Sequence, residues 1–137
     1  MKLTSFVLIE DNDSYLLIKE SNPMWGGKWF FPGGEAKNNE SPKQAVLRET
    51  MEEAAVTIAV KGMFYSKYDQ GLLRNNLSFY YYAEALNHET KRKPDKHSLE
   101  SRWFTYEELL SLPLRDKENA LDIINTYRNL KKNHSLN

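Results

Sequence analysis

The sequence predicts an α+β fold, an α/β/α sandwich in which a mixed β-sheet lies between helices. Three observations carry that expectation. Short runs rich in β-branched and aromatic residues are interleaved with helical stretches rather than segregated from them. Two of the runs are close enough in sequence to form a hairpin. Apolar residues near the C-terminal end recur at helical spacing.

The elements follow in order. Phe6 to Ile9 and Tyr15 to Lys19 are apolar runs separated by the polar stretch Glu10 to Ser14, which suits a hairpin turn. Residues Ser21 to Gly27 form a loop containing Pro23, Gly26 and Gly27. Trp29 to Phe31 is a brief strand that stops at Pro32-Gly33-Gly34. A helix starts at Ser41, which caps it; Pro42 takes the first helical position and Gln44 reaches back to the cap. It runs to about Ala54. Val56 to Tyr68 and Leu77 to Leu86 read as longer strands, Asn87 to Ser98 as a charged surface loop, and Arg102 to Phe104 as a last short strand. Thr105 and Glu108 form a capping box for a short helix that Pro113 ends. Asp116 is expected to cap a final helix carrying Ala120, Leu121, Ile124, Tyr127 and Leu130 on one face. A single domain over residues 1–131 is expected, with 132–137 as a frayed tail.

The bulk numbers bound the function. Nineteen Lys plus Arg balance nineteen Asp plus Glu, so no global charge draws the chain to nucleic acid or to an acidic membrane. There is no cysteine, which excludes disulfides, zinc–thiolate sites and thiol nucleophiles. The N-terminal apolar run is broken by acids after a few residues, unlike a signal peptide or a membrane span. A cytoplasmic protein acting on a small molecule is the expectation, as monomer or homodimer.

The most informative segment is RETMEE, residues 48–53. A helix turns by ~100° per residue, so Glu52 and Glu53 both fall within ~60° of Glu49. Leu47, Met51 and Ala54 lie opposite and are expected to pack on the sheet. Three adjacent carboxylates repel unless a cation sits among them, which points to a hard divalent metal. A charged run is ordinarily only a solvated helix face. Three details argue otherwise. Glu52 and Glu53 occupy the last turn, where the helix dipole disfavours negative charge by roughly 0.3–1 kcal/mol each. Arg48 stands four residues before Glu52 and can pair with it. A glycine turn and another acid, Glu40, precede the helix.

In this register the stretch Gly34 to Val56 resembles the Nudix box. That pattern is Gly, five residues, Glu, seven residues, Arg-Glu, a bulky residue, any residue, Glu-Glu, any residue, Gly and a bulky aliphatic. Gly34, Glu40, Arg48, Glu49, Glu52, Glu53 and Val56 match it, and the flanking WFFPGG and SRWFTYEEL also resemble Nudix sequence. Two positions depart. Thr50 replaces a bulky aliphatic, and Ala55 replaces the final glycine. If residue 55 is left-handed, alanine there costs roughly 1 kcal/mol.

The resemblance implies metal-dependent hydrolysis of a diphosphate linkage in a nucleoside diphosphate derivative, with Mg²⁺ or Mn²⁺ as cofactor. It implies Glu49, Glu52 and Glu53 as metal ligands, with Glu53 or Glu49 doubling as base, Arg48 orienting a ligand carboxylate and the Gly33 carbonyl supplying an oxygen. Glu40 is an additional candidate. Asp95 and Glu100 are candidates for a carboxylate from outside the box, with His97 a less favoured base. For the substrate, Trp25 in its polar loop is placed to contact ligand, whereas Trp29 and Tyr82 are read as core. Lys28 and Arg74 are candidates for phosphate contacts. The basic run Lys91-Arg92-Lys93 with Lys96 lacks interleaved aromatics and is read as a solvated loop. The subfamily mark of ADP-ribose hydrolases, a proline shortly after the box, is absent, as is the segment SQPWPFPxS of NADH hydrolases. Elimination therefore favours a nucleoside triphosphate or a nucleotide sugar. The competing reading is a non-catalytic nucleotide-binding regulatory domain; no acid of the box is lost.

Overall fold

In a computed structural model of the chain, residues 1–91 and 93–136 are described. Strand β1 (Lys2–Asp11) is the spine of a seven-stranded mixed sheet. Beside it run β2 (Ser14–Lys19), β3 (Trp29–Phe30), β4 (Gly33–Glu35), β5 (Ile58–Asp69), β6 (Asn76–Ala85) and β7 (Glu100–Thr105). The order is β3-β2-β1-β6-β5, with β4 also pairing β1 and β7 also pairing β2. Only β1 and β6 are parallel among the named strand pairs; their register runs from Lys2 opposite Asn76 to Ile9 opposite Ala83. The helices are α1 (Pro42–Ala54), α2 (Tyr106–Ser111) and α3 (Lys117–Lys132). No helix among the described residues is long and apolar enough to cross a membrane.

Side chains alternate across the strands and so divide the core in two. Phe6 and Leu8 of β1, with Tyr15 and Leu17 of β2, join Trp29, Phe30, Tyr80 and Phe104 beneath Leu109 of α2 and Ile123, Ile124 and Tyr127 of α3. Val7 and Ile9, with Leu16 and Ile18, face the other way, against Val46 and Ala54 of α1 and Val56 and Ile58. Burial on both faces is why these strands read as continuous apolar runs rather than alternating ones. Trp29 and Tyr82 are core residues, 5% and 7% exposed. Leu136, beyond α3, also packs on the aromatic side.

The β1–β2 hairpin turns at Asn12 and Asp13, whose φ values of 54° and 66° match the left-handed pair of a tight hairpin turn. Elsewhere the structure departs from the sequence-based expectations in four places. The glycines expected only to stop a strand form β4, which pairs Thr4, Ser5 and Phe6 with Glu35, Gly34 and Gly33. Gly33 has φ 148°, and a Cβ there would stand 2.1 Å from the Ser5 carbonyl oxygen, so only glycine permits this pairing. Of the expected packed face of α1, Leu47, Met51 and Ala54, only Ala54 packs. Leu47 and Met51 are 41% and 49% exposed, while Ala45, Val46, Thr50, Glu53 and Ala54 are buried. The helix is rolled so that its carboxylate edge borders the sheet, because short Ala45 and Thr50 allow close approach there. Asp116 precedes α3 in a left-handed conformation, φ 47°, and its side chain makes no cap bond. Lys91, expected in a solvated loop, is buried at its side chain, 8% exposed. Lys93 and Lys96 are exposed, and Arg92 lies outside the described residues.

Candidate metal and nucleotide site

Both ends of α1 are pinned, and the pins set the site. Ser41 Oγ accepts from Gln44 N at 3.1 Å and Gln44 Oε1 accepts from Ser41 N at 2.9 Å, the expected capping box. Ser5 Oγ of β1 donates to the Pro42 carbonyl at 2.8 Å. At the other end Ala55 adopts φ 59° and ψ 31°, and its N–H reaches the Met51 carbonyl at 3.1 Å. The carbonyls of the last turn, which no helix can satisfy internally, go to the segment before and within β7. Lys91 Nζ donates to the Glu52 carbonyl at 3.1 Å, Ser98 Oγ to that of Glu53 at 2.6 Å, and Ser101 Oγ to that of Ala54 at 2.9 Å. Thr50, the polar substitute for an aliphatic, is fully buried and donates to the Val46 carbonyl at 2.6 Å.

Between these pins Arg48 gathers the acids. Its Nε and Nη2 grip Glu40 at 2.8 and 3.0 Å, a two-point contact. Nη1 donates to Glu49 Oε1 at 2.9 Å and makes long contacts of 3.4 Å to both Glu52 oxygens. Nη2 also reaches the Glu35 carbonyl of β4 at 3.4 Å. Arg48 therefore ties the loop before the helix, the helix and β4 together. Its guanidinium holds Glu40 down to about 2.

Glu53 stands apart from Arg48. It is 8% exposed, and its Oε1 accepts from the Gly33 N–H at 2.7 Å. Burial pushes its carboxyl well above the usual range; the Gly33 bond opposes this, and the charges of Glu49, Glu20 and Glu52 add to it. Burial also raises Glu49, against the pull of Arg48. Gly34 makes room for Glu49, since a Cβ there would lie 3.1 Å from its carboxyl carbon.

Two participants are not marked by the sequence pattern. Glu20 follows β2 and belongs to the field around Glu53; burial raises its own carboxyl, and Arg115 lowers it. No motif signals it, because it sits thirty-three positions before Glu53. His97, ranked below its neighbours, places Nδ1 3.3 Å from Glu52 Oε2. The favoured outside carboxylates go elsewhere. Asp95 Oδ1 takes Lys91 Nζ and the backbone N–H groups of His97 and Ser98, so it shapes its own loop. Glu100 pairs with Arg102 at 3.0 Å. Of the substrate candidates, Arg74 pairs with Glu35 at 2.8 Å and Lys28 is exposed just before β3. Trp25 is half-buried with Arg115 stacked on it, 4.3 Å from guanidinium to ring centre.

The donor set suits a hard divalent cation. Glu53 has one N–H donor for a nearly buried carboxylate amid three others, a negative excess that Arg48 leaves uncompensated. Among the described residues no three acids or histidines stand close enough together to hold a metal ion as they are placed. Arg48 and Gly33 hold the oxygens in their places.

The fold and site together define a class: an α/β/α sandwich that presents an arginine-ordered acidic helix beside a glycine strand. The chain belongs to the Nudix family, for the NUDIX domain model matches residues 2–127. An 8-oxo-dGTP diphosphatase from Proteus vulgaris is 38% identical over 47 residues, 34% of this chain and 42% of that protein. An ADP-ribose pyrophosphatase from Methanocaldococcus jannaschii is 30% identical over 95 residues, 68% of this chain and 56% of that one. A solved NUDIX hydrolase from Nitrosomonas europaea shares the fold, with a TM-score of 0.80 at 23% identity over 93% of this chain and 88% of its own. The chain spans between a third and little over half of the length of the curated relatives it matches first.

Proposed function

We propose that the protein hydrolyses a diphosphate linkage in a nucleoside diphosphate derivative, with Mg²⁺ or Mn²⁺ held by Glu49, Glu52 and Glu53. The observation that carries this is Glu53: a nearly buried carboxylate with a single N–H donor, surrounded by like charge and fixed at the edge of a glycine strand. Held in its charged form with one donor, such a group costs several kcal/mol, a cost that a bound cation would remove.

When bound, a hard cation supplies neutralisation of the diphosphate charge and acidifies a coordinated water. The chain's own residues do the rest. Arg48 holds the rotamers of Glu49 and Glu52 and takes Glu40 as its counter-charge. The Gly33 N–H fixes Glu53, whose second oxygen has no hydrogen-bond partner among the described residues, and the Gly33 carbonyl is a further oxygen donor. Glu53, whose burial favours the protonated form, is suited to accept the proton of a water attacking phosphorus. In-line displacement at phosphorus needs positioning and charge more than covalent help, and the pinned helix provides both.

A nucleoside triphosphate or a nucleotide sugar remains the favoured substrate by elimination, and the names of two relatives bracket that choice. A cleft of about 150 Å³ bordered by Trp25, Phe6 and Phe30 is large enough for one aromatic ring. The test is turnover. The purified protein is incubated with Mg²⁺ or Mn²⁺ and nucleoside triphosphates, nucleotide sugars, ADP-ribose and dinucleoside polyphosphates, and products are separated directly. Cleavage of at least one substrate, abolished by chelation, is expected. No product from any of them, with either metal, overturns the reading.

A further inference from the structure

Arg115 lies between two regions that the catalytic reading leaves unconnected. The segment carrying it is docked on β3: Trp29 N–H bonds the Pro113 carbonyl at 3.0 Å, and Arg115 N–H bonds the Trp29 carbonyl at 2.9 Å. Its guanidinium is 4.3 Å from the Trp25 ring centre, 4.7 Å from that of Phe30 and 5.9 Å from that of Phe6, so aromatic faces hold it flat. It borders the ring-sized cleft. On the other side Nη1 reaches Glu20 Oε1 at 3.3 Å, and Glu20 belongs to the field around Glu53.

A guanidinium has five N–H donors in a planar fork. Among the described residues, Glu20 is the one hydrogen-bond acceptor of this fork, at a long distance. A planar cation pre-set by three rings, with most donors unspent and facing a cleft, fits an oxyanion better than it fits its present partner. The polar end of the cleft tells what accompanies that anion. Asp69 and Asp116 offer acceptors there, Lys67 donates to the Asn119 Oδ1 at 3.2 Å, and the Asn119 amide, which bonds the Tyr80 hydroxyl, has a further N–H to donate. Acceptors and donors together suit the edge of a heterocycle rather than a hydrocarbon, and there Asp69 and Asp116 offset Lys2 and Lys67, so that end carries no net charge to hold a phosphate. The anion therefore belongs at the Arg115 end, on the side of Glu20.

We propose that Arg115 is a substrate-binding residue that grips the phosphate next to a heterocycle seated in the cleft, and that Glu20 is its stand-in partner while no substrate is bound. This rests on reading the protein as one that acts on nucleotides. Glu20 then competes with the phosphate for one guanidinium. Removing the competitor must strengthen phosphate binding, and removing the cation must abolish it.

The test is made without metal and without turnover, so it is separate from the hydrolysis assay. In EDTA, binding of guanosine and adenosine is compared with that of their 5′-monophosphates by isothermal titration at millimolar ligand. Wild type is expected to prefer each monophosphate by about tenfold, the scale of one charge-assisted contact. Arg115→Met brings that preference close to one while the nucleosides still bind. Glu20→Gln widens it several-fold. A pair with a merely structural role predicts the opposite for Glu20→Gln, since both substitutions would then loosen the site equally. An unchanged preference in Arg115→Met, a narrowed one in Glu20→Gln, or no nucleoside binding by wild type overturns the proposal. If Arg115→Met does not fold, Glu20→Gln decides alone. Hydrolysis by wild type with Mg²⁺ reports on the broader reading whatever these ratios show.

Discussion

Ala55→Gly is expected to stabilise the protein without altering its chemistry. Ala55 closes α1 at φ 59° and ψ 31°. In that conformation the Cβ of an L-residue crowds its own backbone, at a cost of about 1–2 kcal/mol that glycine does not incur. Glycine brings its own penalty, about 0.4–1 kcal/mol of extra freedom in the unfolded chain. The side chain is exposed, so truncation removes no packing. The bonds made by this residue are backbone bonds, to the Met51 carbonyl and from Asn87 Nδ2, and both survive. The net gain is therefore about 0.5–1 kcal/mol. For 137 residues the unfolding entropy is about 290 cal/mol/K, which converts the gain to about 2–3 °C in Tm. Calorimetry of wild type and variant in the same metal-free buffer checks it. Ala54→Gly is the control: Ala54 is helical and fully buried, so the same chemical change one residue earlier should lower Tm. A drop in Tm for Ala55→Gly, or a rise for Ala54→Gly, refutes the account of how this helix ends.

Glu53→Gln should lower turnover by orders of magnitude while the fold persists; unchanged turnover removes Glu53 from its role. The same variant bears on stability against pH. The folded carboxyl is raised above its usual 4.5, so the folded state binds the proton more tightly than the unfolded chain, and the stability this contributes is present below that value and lost as pH rises through the folded pKa. In EDTA the Tm advantage of Glu53→Gln over wild type should grow as pH rises from about 4.5 towards neutrality, and a flat difference would count against the burial argument. Lys91→Met strips donors from the Glu52 carbonyl, Ser98 and Asp95. It should cost about 1–3 kcal/mol and reduce kcat more than it raises KM, read from steady-state kinetics beside a denaturant melt. An equal loss of both parameters would mean the bracket at the helix end does not position the glutamates.

Most of the acidic helix is legible in the order of its residues. Arg48, Glu49, Glu52 and Glu53 lie within one turn and a half, so helical geometry alone brings them together, and Ser41 and Gln44 announce the start by local bonds. The left-handed end is legible from the residue type that usually stands at position 55. The helix roll is not. Leu47 and Met51 are the larger apolar residues, yet the sheet takes Ala45, Val46 and Thr50, because close approach rewards small side chains there and local periodicity does not measure the space available. A larger groove beside Arg128 and Lys131 shows the converse limit. Arg128 and Lys131 are already paired there, with Asp13 and Glu10, so its size alone gives it no chemistry.

By itself, then, the order of residues determined the strands other than β4, the capped helix and the set of acids with their arginine, since each depends on neighbours a few positions away. Only the tertiary structure decided which carboxylate is buried and who else belongs to the site. Gly33 reaches Glu53 across 20 positions, Ser98 reaches it across 45, and Arg115 reaches Glu20 across 95. Those separations close because β1 pairs with β4 and β2 with β7, and sheet pairing is set by the packing of two cores that no short window of sequence contains.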